Sequence, residues 1–270
     1  MSDEKAPSTG KARRGTKMRR RLSGVLALGV ALIAVGGLYT VFTPSPSPAL
    51  AADPAIVREG QQLYDNSCIT CHGSNLQGVV GRGPSLIGSG EAAVFYQVST
   101  GRMPLQAQGA NAIRKPPSFD PAEIDALGAF IQANGGGPET PPERGEALRG
   151  PEVGRGAELF RLNCASCHNF TGQGGALSQG KYAPNLDPAT DRQIYGAMLS
   201  GPQNMPVFGD GQLTPDEKKA IITFIQNNKE TIDPGGYAAG GFGPAPEGLI
   251  AFLVGMGAIV AATLWMGSKA

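Results

Sequence analysis

Two stretches of this chain carry no charged side chain: residues 22–42 (LSGVLALGVALIAVGGLYTVF) and residues 248–266 (GLIAFLVGMGAIVAATLWM). At about 1.5 Å of rise per residue, each is long enough to cross a hydrocarbon core of about 30 Å as a helix. Between them the apolar positions fall into short helical registers. Residues 54–67 and 152–163 predict helices, and a second pair opens on Asp120-Pro121-Ala122-Glu123 and Thr214-Pro215-Asp216-Glu217. Each of these openings sets a capping side chain, a proline in the first turn and an acid at the third helical position, which satisfies free N–H groups and complements the helix dipole. Ile124, Leu127, Phe130 and Ile131 then share one helical face, as Ile221, Ile222, Phe224 and Ile225 do less cleanly. No strand pattern is visible, so the fold class read from the chain is all-α. With 40 glycines and 22 prolines, long uninterrupted helices are confined to a few segments. Two helices over a glycine-rich middle make a thin core for a unit of about 90 residues, and such a unit needs something further to pack around.

The two sets of helices belong to an internal repeat. Gly60-x-x-Leu63-Tyr64-x-x-x-Cys68-x-x-Cys71-His72 returns 96 positions later as Gly156-x-x-Leu159-Phe160-x-x-x-Cys164-x-x-Cys167-His168. Gln77-Gly78 answers Gln173-Gly174, Pro84-x-Leu86 answers Pro184-x-Leu186, Met103-Pro104 answers Met205-Pro206, and Phe130-Ile131-Gln132 answers Phe224-Ile225-Gln226. The offset drifts between 94 and 102 without disturbing the order, which puts the insertions in loops and makes two copies of one module the economical reading. The expected domains are 52–134 and 152–232. Residues 135–151, which include Gly135-Gly136-Gly137-Pro138 and Pro141-Pro142, read as a linker, and a second linker, 233–247, leads into the last apolar run.

Charge orients this arrangement. The formal net charge of +1 conceals a tail, residues 1–21, with eight basic and two acidic side chains, followed by 249 residues with 15 basic and 20 acidic ones. Lys and Arg stay on the cytoplasmic side of a membrane, so the tail is expected inside, residues 52–247 outside, and the run 248–266 as the return span. Ala49-Leu50-Ala51 also reads as a small-x-small cleavage site. The first run therefore has two open fates, a removed export signal or a retained anchor, and its 21-residue length leans toward retention. An acidic exported body argues against nucleic acid as a partner.

Outside the cell disulfides are permitted, yet every Cys and every His of the chain falls within the two Cys-x-x-Cys-His motifs. In this motif two thiols add across the vinyl groups of a haem and the neighbouring imidazole reaches the iron. A zinc site would want a fourth ligand in each module, and a thioredoxin-like pair would want a strand-to-helix turn. The expected cofactors are thus two covalently bound c-type haems, on Cys68 and Cys71 and on Cys164 and Cys167, with His72 and His168 as axial ligands. Both histidines are consumed, so bis-histidine ligation is impossible and methionine is the expected sixth ligand. Met103 has no rival in its module. In the second, Met205 matches Met103 in the repeat, whereas Met198 aligns with Val98 in a helical stretch and reads as core. His/Met ligation closes the iron, which suits carrying electrons.

These residues resemble class I cytochrome c domains over about 54–134 and 152–230. That resemblance implies that the carbonyls of Pro84 and Pro184 accept the free N–H of His72 and His168, fixing the rings. The order of basic tail, apolar run, two such modules and C-terminal helix is similar to the dihaem cytochrome c subunit family of actinobacterial menaquinol-cytochrome c reductase, the cytochrome bcc complex. The similarity implies electrons arriving from a Rieske iron-sulfur protein and leaving to the copper centre of an aa3-type cytochrome c oxidase, with a cytochrome b subunit and membrane lipid as neighbours, in a respiratory translocase to which the chain contributes no separate active site. Two readings compete. One is a dihaem subunit of another membrane chain, a cbb3-type oxidase or a periplasmic dehydrogenase. The other is a dihaem peroxidase, which would need an open iron position that a methionine for each haem denies.

Overall fold

In the computed structural model the described residues are 12–42, 53–230 and 244–269. The expected tail up to residue 11, the cleavage site at 49–52 and residues 233–243 of the expected linker 233–247 lie outside them, and the linker's last four residues open the final helix. Among the described residues ten α-helices run in the order α1 Ala12–Phe42, α2 Pro54–Ser67, α3 Ile69–His72, α4 Gly90–Ser99, α5 Pro121–Gly135, α6 Val153–Asn163, α7 Ala165–His168, α8 Asp191–Ser200, α9 Pro215–Glu230 and α10 Pro244–Gly267. The helix α1 reaches back into the basic segment, beyond the apolar run itself. Within α1 and α10, Arg21–Leu38 and Pro246–Gly267 are long and apolar enough to cross a membrane. Their leucine, valine, isoleucine and phenylalanine side chains are exposed along these lengths, a surface that water disfavours and lipid suits.

The two modules are built alike. In each, the first helix crosses the last, α2 on α5 and α6 on α9. A glycine makes the crossing close: a methyl group on Gly60 would stand 2.0 Å from the Ala126 carbonyl oxygen, and one on Gly156 would stand 2.0 Å from that of Ala220. An aromatic pair seals each crossing, Tyr64 with Phe130 and Phe160 with Phe224, both at 5.2 Å between ring centroids. The capping box at Asp120 and Glu123 is formed in both directions. Thr214 and Glu217 likewise exchange hydrogen bonds, Thr214 N–H donating to Glu217 Oε2 and Glu217 N–H to Thr214 Oγ1.

Three features depart from the pattern-based reading. A third helix completes each core, α4 in the first module, which the pattern does not mark, and α8 in the second, over the stretch around Met198 that it reads as helical; they supply Val98 to one cluster and Ile194, Tyr195 and Met198 to the other. A short antiparallel pair, β1 Gly175–Ala176 with β2 Tyr182–Ala183, is present despite the absence of any strand periodicity; two residues per strand are too few to leave one. Segment 135–151 is packed, although its composition suggests a free linker. Thr140 donates its N–H and its hydroxyl to Glu91 Oε2, both at 2.8 Å, and Leu148 is wholly buried in the second core. The equivalent helices α4 and α8 pack directly on one another, so the two modules share an interface.

Candidate cofactor sites

Each Cys-x-x-Cys-His motif forms the end of the first helix and a one-turn helix after it, α3 or α7. Within that turn His72 N–H donates to Cys68 O at 3.0 Å and His168 N–H to Cys164 O at 2.9 Å, which winds the two thiols and the imidazole around one axis. All four thiols are free, Cys71 and Cys167 exposed, Cys68 and Cys164 partly buried. Burial, reinforced by the neighbouring thiol, pushes Cys68 up to about 11 and Cys164 up to about 12, so both stand as neutral thiols. Among the described residues no three His, Cys, Asp or Glu side chains converge on a point as a chelated metal ion would require.

The loop after each motif folds back under its histidine. Gly78 N–H donates to His72 O at 2.8 Å and Gly174 N–H to His168 O at 2.9 Å. Both glycines have φ of +82°, and a methyl on either would lie within 3 Å of the backbone at Gly83–Pro84 or Ala183–Pro184. This close return brings a proline carbonyl to each ring: His72 Nδ1–H donates to Pro84 O at 2.8 Å, and His168 Nδ1–H donates to Pro184 O at 3.0 Å. The tautomer is thereby set, with the lone pair on Nε2. Burial holds the His168 pKa below the usual imidazole value, which keeps that lone pair free of a proton.

In the second module Cys164, Cys167 and His168 open on a cavity of about 300 Å³ whose other walls include Leu186, Ile194, Phe208 and Ile225. Met205 and Met198 both line it, Met205 from the loop and Met198 from α8, where it is buried with the core. The loop is closed onto α8 by Phe208 N–H donating to Met198 O at 2.8 Å. In the first module Met103 packs against the cluster of Leu76, Val98 and Leu127, and its N–H donates to Gln97 O at 3.0 Å. Free paired thiols, an imidazole with Nε2 available and an apolar chamber fit a covalently held haem. Sequence reasoning missed one wall of the chamber. Tyr96, Arg102, Asn111 and Arg114 of the first module line the cavity of the second. The one sign of it in the chain is a break in the repeat, where Arg102 before Met103 is answered by Asn204 before Met205.

The all-α fold and these motifs define a c-type cytochrome with two cytochrome c domains. Residues 57–134 match the family described as Cytochrome c, and residues 151–225 match the family described as Cytochrome C oxidase, cbb3-type, subunit III. The chain is 55% identical over 268 residues to the cytochrome bc1 complex cytochrome c subunit of Mycobacterium tuberculosis, spanning 97% of this chain and 95% of that protein. It is 56% identical over 252 residues to the protein of that name in Mycobacterium leprae, spanning 91% and 87%, and 52% identical over 278 residues to that of Corynebacterium efficiens, spanning 97% and 94%. The chain belongs to the family of cytochrome bc1 complex cytochrome c subunits, with the haem binding and electron-transfer role of a cytochrome c.

Proposed function

We propose that the chain carries two haems, one on each motif, and serves as a membrane-anchored electron conduit between a Rieske iron-sulfur protein and the copper centre of an aa3-type oxidase. The reading rests on the repeated constellation of two free thiols and an imidazole tautomer fixed by a proline carbonyl. Cys68, Cys71, Cys164 and Cys167 hold the cofactors through thioether bonds. With a haem bound, His72 and His168 would ligate its iron through Nε2, and Met103 and Met205 would supply the remaining protein ligands. A bound haem supplies a one-electron iron couple, and His/Met ligation sets it high and shuts it to substrates. Pro84 and Pro184 hold the rings in orientation.

The helices α1 and α10 anchor the chain as a multi-pass protein of the cell membrane. The basic segment stays inside and both modules stand on the extracytoplasmic side, beside a cytochrome b subunit within an oxidoreductase that works as a translocase. An anchored carrier acts at an effective concentration near the millimolar range, so it needs no soluble partner. The near full-length likeness to cytochrome bc1 complex subunits favours this reading over a cbb3-type subunit, one of which is 23% identical over 63% of the chain.

Mass spectrometry of the denatured chain should show two haem additions; one or none ends the dihaem reading. Oxygen consumption by the purified assembly, driven by a menaquinol analogue with no soluble cytochrome c, should proceed across a range of ionic strength. A requirement for an added carrier would refute the conduit.

A further inference from the structure

The wall that the first module contributes to the second module's cavity carries two guanidinium groups. The segment that bears them is pinched at its neck, where Lys115 N–H donates to Thr100 O at 3.2 Å, so Arg102 and Arg114 leave the same closure. Arg102 is 6% exposed, and its Nη1 is buried without a hydrogen-bond partner among the described residues. The group lies 5.0 Å from the centroid of the Tyr96 ring. Arg114 Nη2 donates to Pro188 O at 2.8 Å and to Gln193 Oε1 at 3.0 Å, both neutral acceptors of the second module. Among the described residues neither arginine forms an ion pair. Burial and repulsion from Arg102 lower the Arg114 pKa, the direction expected where cations meet without a counter-ion.

A buried cation beside a half-buried one, neither with an anion, is costly to keep, and an anionic occupant relieves that cost. The same cavity is lined by Cys164, Cys167 and His168. Haem carries two propionate carboxylates on the edge of the macrocycle opposite its vinyl groups. A haem attached here through those vinyls supplies an anion of the kind that a guanidinium fork receives in bidentate fashion.

We propose that Arg102 and Arg114 of the first module form the carboxylate-binding site for the propionates of the haem held by the second, so that this cofactor is held by both modules. The proposal rests on the dihaem reading. It is tested on full-length chains by spectroelectrochemical titration of each haem. Cys68→Ser with Cys71→Ser leaves the second haem alone to be read, and Cys164→Ser with Cys167→Ser the first. Removing a cation beside the propionates favours the ferric state. Arg102→Gln and Arg114→Gln should therefore each raise the oxidised-to-reduced ratio of the second haem about tenfold at fixed potential, a downward shift of about 59 mV for a one-electron couple. Arg102→Lys, which keeps the charge, should recover most of the shift, an outcome that a purely structural arginine would not give. The first haem should not move. An unchanged second haem, or a shift confined to the first, overturns the inference while leaving two haems by mass. A second module that carries no haem overturns the dihaem reading with it.

Discussion

Arg192 is the residue whose loss should most weaken the docking of the two modules on one another. It projects from α8 into the first module with its side chain 11% exposed. Its Nη2 lies 2.5 Å from Glu91 Oε1, its Nη1 lies 2.8 Å from Asp125 Oδ1, and its Cζ stands 3.6 Å from the centroid of Phe95. Its Nε also donates to Thr140 Oγ1 at 3.3 Å. Removing one partner of a buried pair costs about 3–5 kcal/mol. Here Glu91 keeps the two hydrogen bonds from Thr140, which offsets part of that loss. Asp125 is half exposed, so its pair adds less than about 1 kcal/mol, and the stacking on Phe95 adds about 1 kcal/mol. Arg192→Ala should thus weaken docking by about 3 kcal/mol, and at about 2–4 °C per kcal/mol the full chain should melt about 6–12 °C lower in scanning calorimetry. Arg192→Lys should recover only part, because an ammonium cannot reach both carboxylates with one planar fork. A double-mutant cycle with Glu91→Gln isolates the pair. A melting point within about 2 °C of the parent, or a coupling under about 0.5 kcal/mol, would refute the reasoning.

Gly60→Ala and Gly156→Ala should each cost about 3 kcal/mol or more, because the methyl meets a backbone carbonyl that cannot yield. Gly154→Ala, where the added methyl meets open space in the same helix α6, should instead stabilise by about 0.5–1 kcal/mol; urea titration separates the three. The wholly buried Lys218 donates from Nζ to Asp210 Oδ1 at 2.5 Å and to Leu213 O at 2.9 Å. Asp210→Ala, which strands that charge, should destabilise by about 3 kcal/mol and Lys218→Met by less; equal losses in chemical denaturation would contradict this. Met103→Ala and Met205→Ala should each turn one haem high-spin by visible and magnetic circular dichroism spectra, with Met198→Ala leaving both low-spin. Opening of the second haem by Met198→Ala alone would reverse the ligand assignment.

The parts of this molecule that were legible in the chain are those governed by short spacing. A one-turn thiol pair with its histidine, a capping box and a helix face each need only neighbours within about five positions, and the repeat marked them twice. The middle helices were harder. In α4 the sequence GEAAVFYQVS has apolar positions on both sides, because one side meets α5 and the other meets α8 of the second module, so no single stripe stands out. The packed state of 135–151 was hidden for a similar reason. Its glycines and prolines describe a flexible chain, while Leu148 and Thr140 are fixed by partners that the linear order does not reveal. Arg102 and Arg114 belong to the same group, since their role is set by a cavity whose second-module walls, from Phe160 to Ile225, lie far along the chain.

That division has a physical consequence for how a duplicated module acquires a single function. The positions that repeat, Gly60 and Gly156, Gly78 and Gly174, Tyr64 and Phe160, Pro84 and Pro184, set the helix crossing, the loop return and the histidine ring within each module and say nothing about the other copy. The residues that join the copies sit where the repeat fails. With Val98 answering Met198, Arg192 stands opposite Ala92 and Gly196 opposite Tyr96. These departures make contact with one another. A methyl on Gly196 would stand 3.1 Å from the Ala92 carbonyl and 3.8 Å from Tyr96 Cβ, so the small residue in one copy admits the large one from the other. Two identical faces would bind a third copy as readily as each other, giving an isologous contact open to exchange between chains. Placing the cation on α8 and its carboxylates on α4 and α5 makes the interface heterologous and single-valued.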